Sequence, residues 1–79
     1  MNQLQYPVLL STAEEGGFVV TCRDLPPLIT QGDDKAHALA EAADAMDEVF
    51  AAFIVGGLEF PVPSQARRNE HLVSPPPER

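Results

Sequence analysis

The longest stretch without proline or glycine runs from residue 33 to residue 55, and it constrains the fold more than any other feature of the sequence. Alanine is abundant in it, and either Asp33 or Asp34 can cap its start by accepting the free N–H groups of a first helical turn. Gly56 and Gly57 supply the usual glycine cap at its end. We therefore predict one long helix, which leaves the first 32 residues of a 79-residue chain for other elements.

This helix is predicted to be amphipathic. Its large apolar residues and one alanine recur at spacings of three and four within a narrow sector, at roughly 100° per residue: Leu39, Ala43, Met46, Phe50 and Phe53. The opposite face carries polar and acidic residues at the same spacing: Asp34, His37, Glu41, Asp44 and Glu48. Two interpretations of the acidic face stay open, a solvated surface, which charge runs usually are, or a docking surface for a basic protein.

The segments before the helix are typical of β-strands. Residues 6–11 and 18–22 are apolar and partly alternating, and Gly16 and Gly17 between them suit a tight turn, so they predict a hairpin. Pro26 and Pro27 interrupt the second strand, and residues 28–31 fit a third. The predicted fold class is α+β: an antiparallel sheet of three to four strands in the order β-β-β-α-β, with the helix packed on one face.

Charge excludes one class of function and favours another. The chain carries a net charge of −7, and residues 1–63 hold two basic against ten acidic side chains. Such a surface repels phosphate, so the folded part is not expected to bind nucleic acid, whereas it attracts a basic partner. The simpler interpretation is that the acidity only keeps the protein in solution.

The compartment is predicted to be the reducing cytoplasm. Cys22 is the single cysteine, which excludes an intrachain disulfide and a cysteine-rich zinc site. The first seven residues contain neither the basic nor the apolar region of a signal peptide, and no apolar run approaches the roughly 18 residues that span a bilayer.

No constellation of residues points to catalysis. Cys22 alternates inward with Phe18 and Val20, so we interpret it as a small core residue rather than a nucleophile. His37 and His71 stand apart, and no serine lies in a nucleophile elbow. The strands contribute no inward carboxylates of the kind that hold catalytic metal ions. We predict no enzyme activity, no metal and no cofactor.

The tail differs in composition from the rest. Residues 58–64 are extended by their prolines, residues 65–70 are polar, and residues 71–74 fit a short returning strand. The prolines at 75–77 suit a polyproline end or a linker. We therefore divide the chain into a domain at 1–64 and a polar, proline-rich tail at 65–79.

Three fragments, in this order and spacing, carry a family resemblance: residues 16–26 (GGFVVTCRDLP), residues 29–33 (ITQGD) and residues 61–64 (PVPS) around an alanine-rich helix. Over residues 4–64 the chain resembles the HicB family of type II antitoxins, and residues 72–78 resemble that family's last strand and exit. The resemblance implies a degraded RNase H-like fold that lacks the nuclease carboxylates.

The same resemblance implies a partner and a mechanism. HicB domains bind HicA, a small basic toxin that cleaves mRNA, and mask its active site and RNA-facing surface. Many members also form dimers or tetramers and carry a C-terminal domain that binds promoter DNA. This sequence has no residues for such a domain after residue 79, so promoter binding is expected only if a C-terminal domain is missing. It also carries Pro27 where the family usually has glycine, so the turn there must differ.

We predict a non-catalytic antitoxin domain that neutralises a HicA-type toxin. Its toxin-facing residues are expected to be Asp24, Asp33, Asp34, Glu41, Asp44 and Glu48. Self-association is expected across an exposed edge formed by the first strand, with Tyr6, Val8 and Leu10. Two alternatives stay open, an interaction module without a toxin and a residual RNase H-like hydrolase.

Overall fold

The structure is a computed structural model that describes residues 4–75 of the chain. It contains a hairpin, a third strand, one helix and a fourth strand, in the order β1 (Tyr6–Thr12), β2 (Phe18–Thr21), β3 (Ile29–Gly32), α1 (Lys35–Gly56) and β4 (Glu70–Val73). All the strands are antiparallel and form one sheet in the order β3-β2-β1-β4. The predicted α+β class and element order are therefore confirmed.

The hairpin turn and the helix ends follow from the predicted local signals. Gly16 and Gly17 both adopt positive φ, at 100° and 80°, which a side chain would disfavour. Asp34 is the N-cap of α1, and its side chain accepts a hydrogen bond from the His37 backbone N–H. Gly57 caps the other end with a left-handed φ of 70°.

The core lies between α1 and one face of the sheet. Strand alternation and register put Tyr6, Val8 and Val20 on this face, and all three side chains are fully buried. Cys22 and Leu25 extend the core into the loop after β2, where the Leu25 N–H donates to the Cys22 carbonyl at 3.2 Å. The interpretation of Cys22 as a core residue is confirmed.

The face of α1 that packs on the sheet differs from the predicted one. Its fully buried residues are Ala38, Ala42 and Met46, whereas the other members of the predicted stripe are only partly buried: Leu39, Ala43, Phe50 and Phe53. The reason is close packing against Gly32, where an added Cβ would lie 2.4 Å from the Ala38 nitrogen. Small residues therefore occupy the contact itself, and the larger ones surround it.

The prediction that the first strand forms an exposed edge of the sheet is wrong. β1 lies inside the sheet, paired with β2 through residues 9–12 and with β4 through residues 6–9. Tyr6 and Val8 are fully buried in the core and Leu10 is partly buried, so they do not offer an edge to a second copy. Among the described residues, the two edges of the sheet are β3 and β4.

The segment after residue 64 belongs to the same sheet. The short strand expected at residues 71–74 is present as β4, one residue earlier, and its Val73 is buried beside Tyr6. The proline run extends beyond the described residues from Pro76 onward.

Candidate functional site

The acidic residues at the start of α1 hold one another through His37. Asp34 accepts the His37 backbone N–H at 2.8 Å, and the Asp33 N–H donates to the His37 Nδ1 at 2.9 Å. Because Nδ1 accepts a hydrogen bond, the proton of the neutral ring lies on Nε2, which is 3.3 Å from a Glu41 carboxylate oxygen. Of the predicted partner-binding residues, Asp33 and Glu41 therefore approach the His37 imidazole, whereas Asp34 binds the His37 backbone.

Two further predicted residues extend this acidic surface along the helix. Asp44 and Glu48 are exposed, at the three- and four-residue spacing that places them beside Glu41. Neither carboxylate makes an ion pair or hydrogen bond with any residue from 4 to 75. We call Glu41, Asp44 and Glu48 the acidic flank. The charges of Asp44 and Glu48 are unpaired within residues 4–75, so these two carboxylates are available to an outside cation.

A groove separates this flank from the outer edge of β3. Its volume is about 230 Å³, and it is mostly apolar apart from Glu48. One wall is the start of β3 with the preceding loop, and the other is the middle of the helix: Pro27, Leu28, Ile29, Ala45, Glu48, Val49, Ala52 and Phe53. We call it the β3 groove. It gives the acidic flank a neighbouring concave surface that sequence reasoning missed.

Asp24 lies at the other end of β3 from Asp33. Its carboxylate accepts the Ser64 backbone N–H at 2.7 Å and the Ser64 hydroxyl at 2.8 Å. The aspartate therefore holds the segment that follows the helix against the loop after β2. The structure brings Asp33, Asp34 and Glu41 together but does not join Asp24 to them.

Arg23 and Glu70 form a second link to the same segment. The Arg23 guanidinium donates to both Glu70 oxygens, at 2.8 and 3.0 Å, and to the Gln65 carbonyl at 2.9 Å. The Arg67 N–H also donates to Glu70. These hydrogen bonds, chiefly those from Arg23, lower the pKa of Glu70 to about 2.

Tyr6 makes the third link. Its hydroxyl donates to the Pro61 carbonyl at 2.6 Å, and burial raises its pKa. The ring meets Phe50 edge-on with centroids 5.8 Å apart, and Phe60 stacks on Phe50 at 4.6 Å. Together the three links fix residues 61–70. No sequence pattern indicated them, since each joins residues at least 40 positions apart.

The structure does not bring the candidate catalytic residues together. Burial raises the pKa of the Cys22 thiol, which lies in the core. Between residues 4 and 75, no three histidine, cysteine, aspartate or glutamate side chains converge where a metal ion could be held. The helix found within those residues is not long and apolar enough to cross a membrane.

Comparison with known proteins identifies relatives. Residues 5–77 match the family described as "HicB_like antitoxin of bacterial toxin-antitoxin system". The chain is 34% identical over 73 residues to Antitoxin HicB of Escherichia coli K12, covering 92% of this chain and 53% of the relative. It is 36% identical over 63 residues to Antitoxin HicB 1 of Photorhabdus laumondii, covering 80% of this chain and 41% of the relative. The chain thus spans about half the length of these relatives.

Proposed function

Since this chain belongs to the HicB-like antitoxin family of bacterial toxin–antitoxin systems, we propose that it binds a small, basic HicA-type toxin and neutralises it by masking its active site and RNA-binding surface. The observation that carries the proposal is the acidic flank. Asp44 and Glu48 are exposed and unpaired within residues 4–75, in a chain of net charge −7. A protein built to hold RNA phosphates presents the opposite charge, so the two surfaces attract.

The predicted toxin-facing carboxylates are not equally free to bind a cation of the toxin. Asp44 and Glu48 have no internal partner within residues 4–75, so a toxin cation costs them no existing contact. Asp33, Asp34 and Glu41 already serve the first turn of the helix and His37. Asp24 is bonded twice to Ser64. We therefore propose that Asp44 and Glu48 of the acidic flank lead the contact, with Glu41, Asp33 and Asp34 at its rim and Asp24 acting through the loop that it holds.

The proposed action is non-catalytic and cytoplasmic. Blocking a surface requires complementary shape and charge and no reacting group on the antitoxin. The residual-hydrolase alternative requires Asp24 to hold a catalytic metal ion, and it predicts a divalent-metal site that Asp24→Asn abolishes. Toxin binding by an antitoxin does not change when a chelator is added. Asp24→Asn weakens toxin binding only through the loss of the link to Ser64.

Self-association belongs to the same proposal, without an assigned surface. The strand expected to mediate it lies inside the sheet. Sedimentation of the full chain across a concentration series tests it, and a monomer at every concentration contradicts it.

The test of toxin binding is co-expression of the full chain with a small basic HicA-type protein, which we expect to be encoded beside it. We expect growth rescue and co-purification, with a complex that weakens as salt is raised from about 0.1 to 1 M because the attraction is screened. The matched pair is Asp44→Lys, which reverses a charge on the flank, and Glu14→Lys, which makes the same change in the hairpin turn. Absence of both rescue and complex, with the chain shown to be folded, contradicts the proposal.

A further inference from the structure

We propose that the outer edge of β3, together with the β3 groove, binds an extended basic segment of a protein partner, which adds to the sheet as a fifth strand. The inference rests on the proposed function, because the partner it assigns to this edge is the toxin. It goes further by naming the element that the partner pairs with and the shape that the partner's segment must have.

The hydrogen-bond pattern of the hairpin shows which amides face outward. The Ala13 N–H donates to the Gly17 carbonyl at 3.1 Å, and closely bonded pairs then alternate along an antiparallel ladder. Counted from this pair, the backbone groups of Val20 point away from β1 and toward Thr30. The intervening positions of β3, Ile29 and Gln31, therefore direct their N–H and carbonyl groups to the outer edge.

The next amide in the same direction supports this assignment. Asp33 follows Gln31 by two positions, and its N–H donates to the His37 side chain rather than to β2. His37 thus closes the edge at its far end. The open part of the edge consists of Ile29 and Gln31, with β2 as the single strand neighbour of β3 among residues 4–75.

The acidic flank runs beside this open edge. Gly32 lies against Ala38, and Ile29 shares the β3 groove with Ala45 and Glu48, so the helix passes antiparallel to β3. Glu41 and Glu48 are seven residues apart, about 10 Å along a helix, which is the length of roughly three residues in a strand. An added strand therefore passes both carboxylates.

The groove adds a requirement for an apolar side chain. Its walls are apolar apart from Glu48, and Ile29 is 68% exposed although it belongs to a strand. No Lys or Arg lines the groove. The fitting occupant is an extended segment that places one apolar side chain in the groove and Lys or Arg opposite Glu41 or Glu48.

A second copy of this chain fits the edge poorly. Two copies paired through β3 would each bring an acidic flank to the contact, in a chain of net charge −7. Like charges across such an interface oppose association, whereas a basic strand relieves the repulsion. The charge therefore selects the basic partner over self-pairing.

The backbone part of the proposal is tested with Gln31→Pro in the full chain, against Gln31→Ala as its matched control. Proline removes an outward N–H and leaves Thr30 and Gly32 paired with β2. We expect Gln31→Pro to weaken toxin binding about tenfold or more, and Gln31→Ala to change it less than about threefold. Equal affinity of Gln31→Pro and the original protein, with an unchanged circular dichroism spectrum, overturns the proposal.

The charge part is tested with Glu48→Lys against Glu14→Lys. Both substitutions change the net charge equally, but Glu14 lies in the turn beyond the opposite end of β3 from Glu48. We expect Glu48→Lys to weaken binding at least about tenfold at low salt and Glu14→Lys to weaken it less than about threefold. Similar losses in the two variants contradict a local contact at the groove.

Hydrogen exchange in the unmutated protein gives a readout that does not depend on variant folding. Addition of a strand is expected to slow exchange of the Ile29 and Gln31 amides in the complex by at least about tenfold. If the toxin binds and these amides still exchange as in the free chain, the edge proposal fails while the antitoxin function stands. If the toxin does not bind, both fail; if the two amides are already protected in the free chain as a dimer, self-pairing replaces the toxin.

Discussion

At the scale of single residues, Gly32 sets how closely the helix approaches the sheet. An added Cβ there would lie 2.4 and 2.5 Å from the backbone nitrogen and Cα of Ala38, and backbone atoms cannot rotate away as a side chain can. We predict that Gly32→Ala lowers the free energy of unfolding by about 3 kcal/mol, as overpacking in a close contact does. Urea denaturation followed by circular dichroism measures it.

The control for this prediction is Gly56→Ala at the end of the helix. An added Cβ there meets only the Leu58 side chain, at an ordinary 3.6 Å, and alanine favours the helix. We expect no loss of stability from Gly56→Ala. If the two variants unfold at the same urea concentration, the Gly32 contact does not limit the approach of the helix.

Tyr6 carries a second residue-scale prediction, because its two contacts can be separated. Tyr6→Phe keeps the ring against Phe50 and removes the hydroxyl that donates to the Pro61 carbonyl. The expected loss is about 1 kcal/mol of unfolding free energy, the usual net value of one hydrogen bond. The Ser64 amide, which donates to Asp24 in the same segment, should also exchange faster. No loss of stability would mean that water replaces the Tyr6 hydrogen bond without cost.

At the scale of elements, β4 is fastened to the loop after β2 by Arg23 and Glu70. The pKa of Glu70 is lowered from 4.5 to about 2 by these contacts, so the folded protein keeps this carboxylate ionised where the unfolded chain binds a proton. The stabilisation is complete above pH 4.5 and is lost as the pH falls toward 2. We predict that the stability difference between the original protein and Glu70→Gln shrinks over that interval.

Thermal unfolding of the two proteins between pH 7 and pH 2 measures this difference. Glu59→Gln serves as the control, since Glu59 is exposed in the segment after the helix and makes no hydrogen bond or ion pair within residues 4–75. The melting temperature of Glu59→Gln should follow that of the original protein over the whole pH range. A constant difference between the original protein and Glu70→Gln down to pH 2 would contradict the role of the ion pair.

The elements themselves could be predicted from the sequence because their signals are local. Gly16 and Gly17 mark the turn, Asp34 and Gly57 the helix ends, and Pro26 the end of a strand, each within a few residues of its effect. The acidic face followed equally well from helical spacing. Contacts between distant segments did not, since nothing in the order of residues ties Arg23 to Glu70.

Two errors have the same origin. The apolar stripe was placed on the largest side chains, but the closest part of the contact is occupied by Ala38 opposite Gly32, and Ala42 is also fully buried. The first strand was expected at an edge, but β4, which is far away in sequence, pairs directly with it. Both depend on how separated segments meet, which periodicity does not specify. The β3 groove escaped prediction for that reason too.

At the scale of the whole molecule, the uncompensated negative charge opposes folding while it favours a basic partner. Asp44 lies between Glu41 and Glu48 on the helix surface, at the spacings where like charges repel. Asp44→Lys converts both repulsions into attractions. We predict that it raises the free energy of unfolding by about 0.5 kcal/mol and weakens toxin binding about three- to tenfold.

The opposite signs of these two effects separate a binding surface from a merely solvated one. Glu14→Lys, with the same change in net charge, should weaken binding less than about threefold because the hairpin turn lies outside the acidic flank. Salt should also raise the melting temperature of the original protein more than that of Asp44→Lys, since less repulsion remains to be screened. A gain in stability without a loss of affinity would mean that the toxin contacts another surface. A loss of both stability and affinity would mean that Asp44 supports the fold. The lower affinity would then be no evidence that the toxin binds the acidic flank.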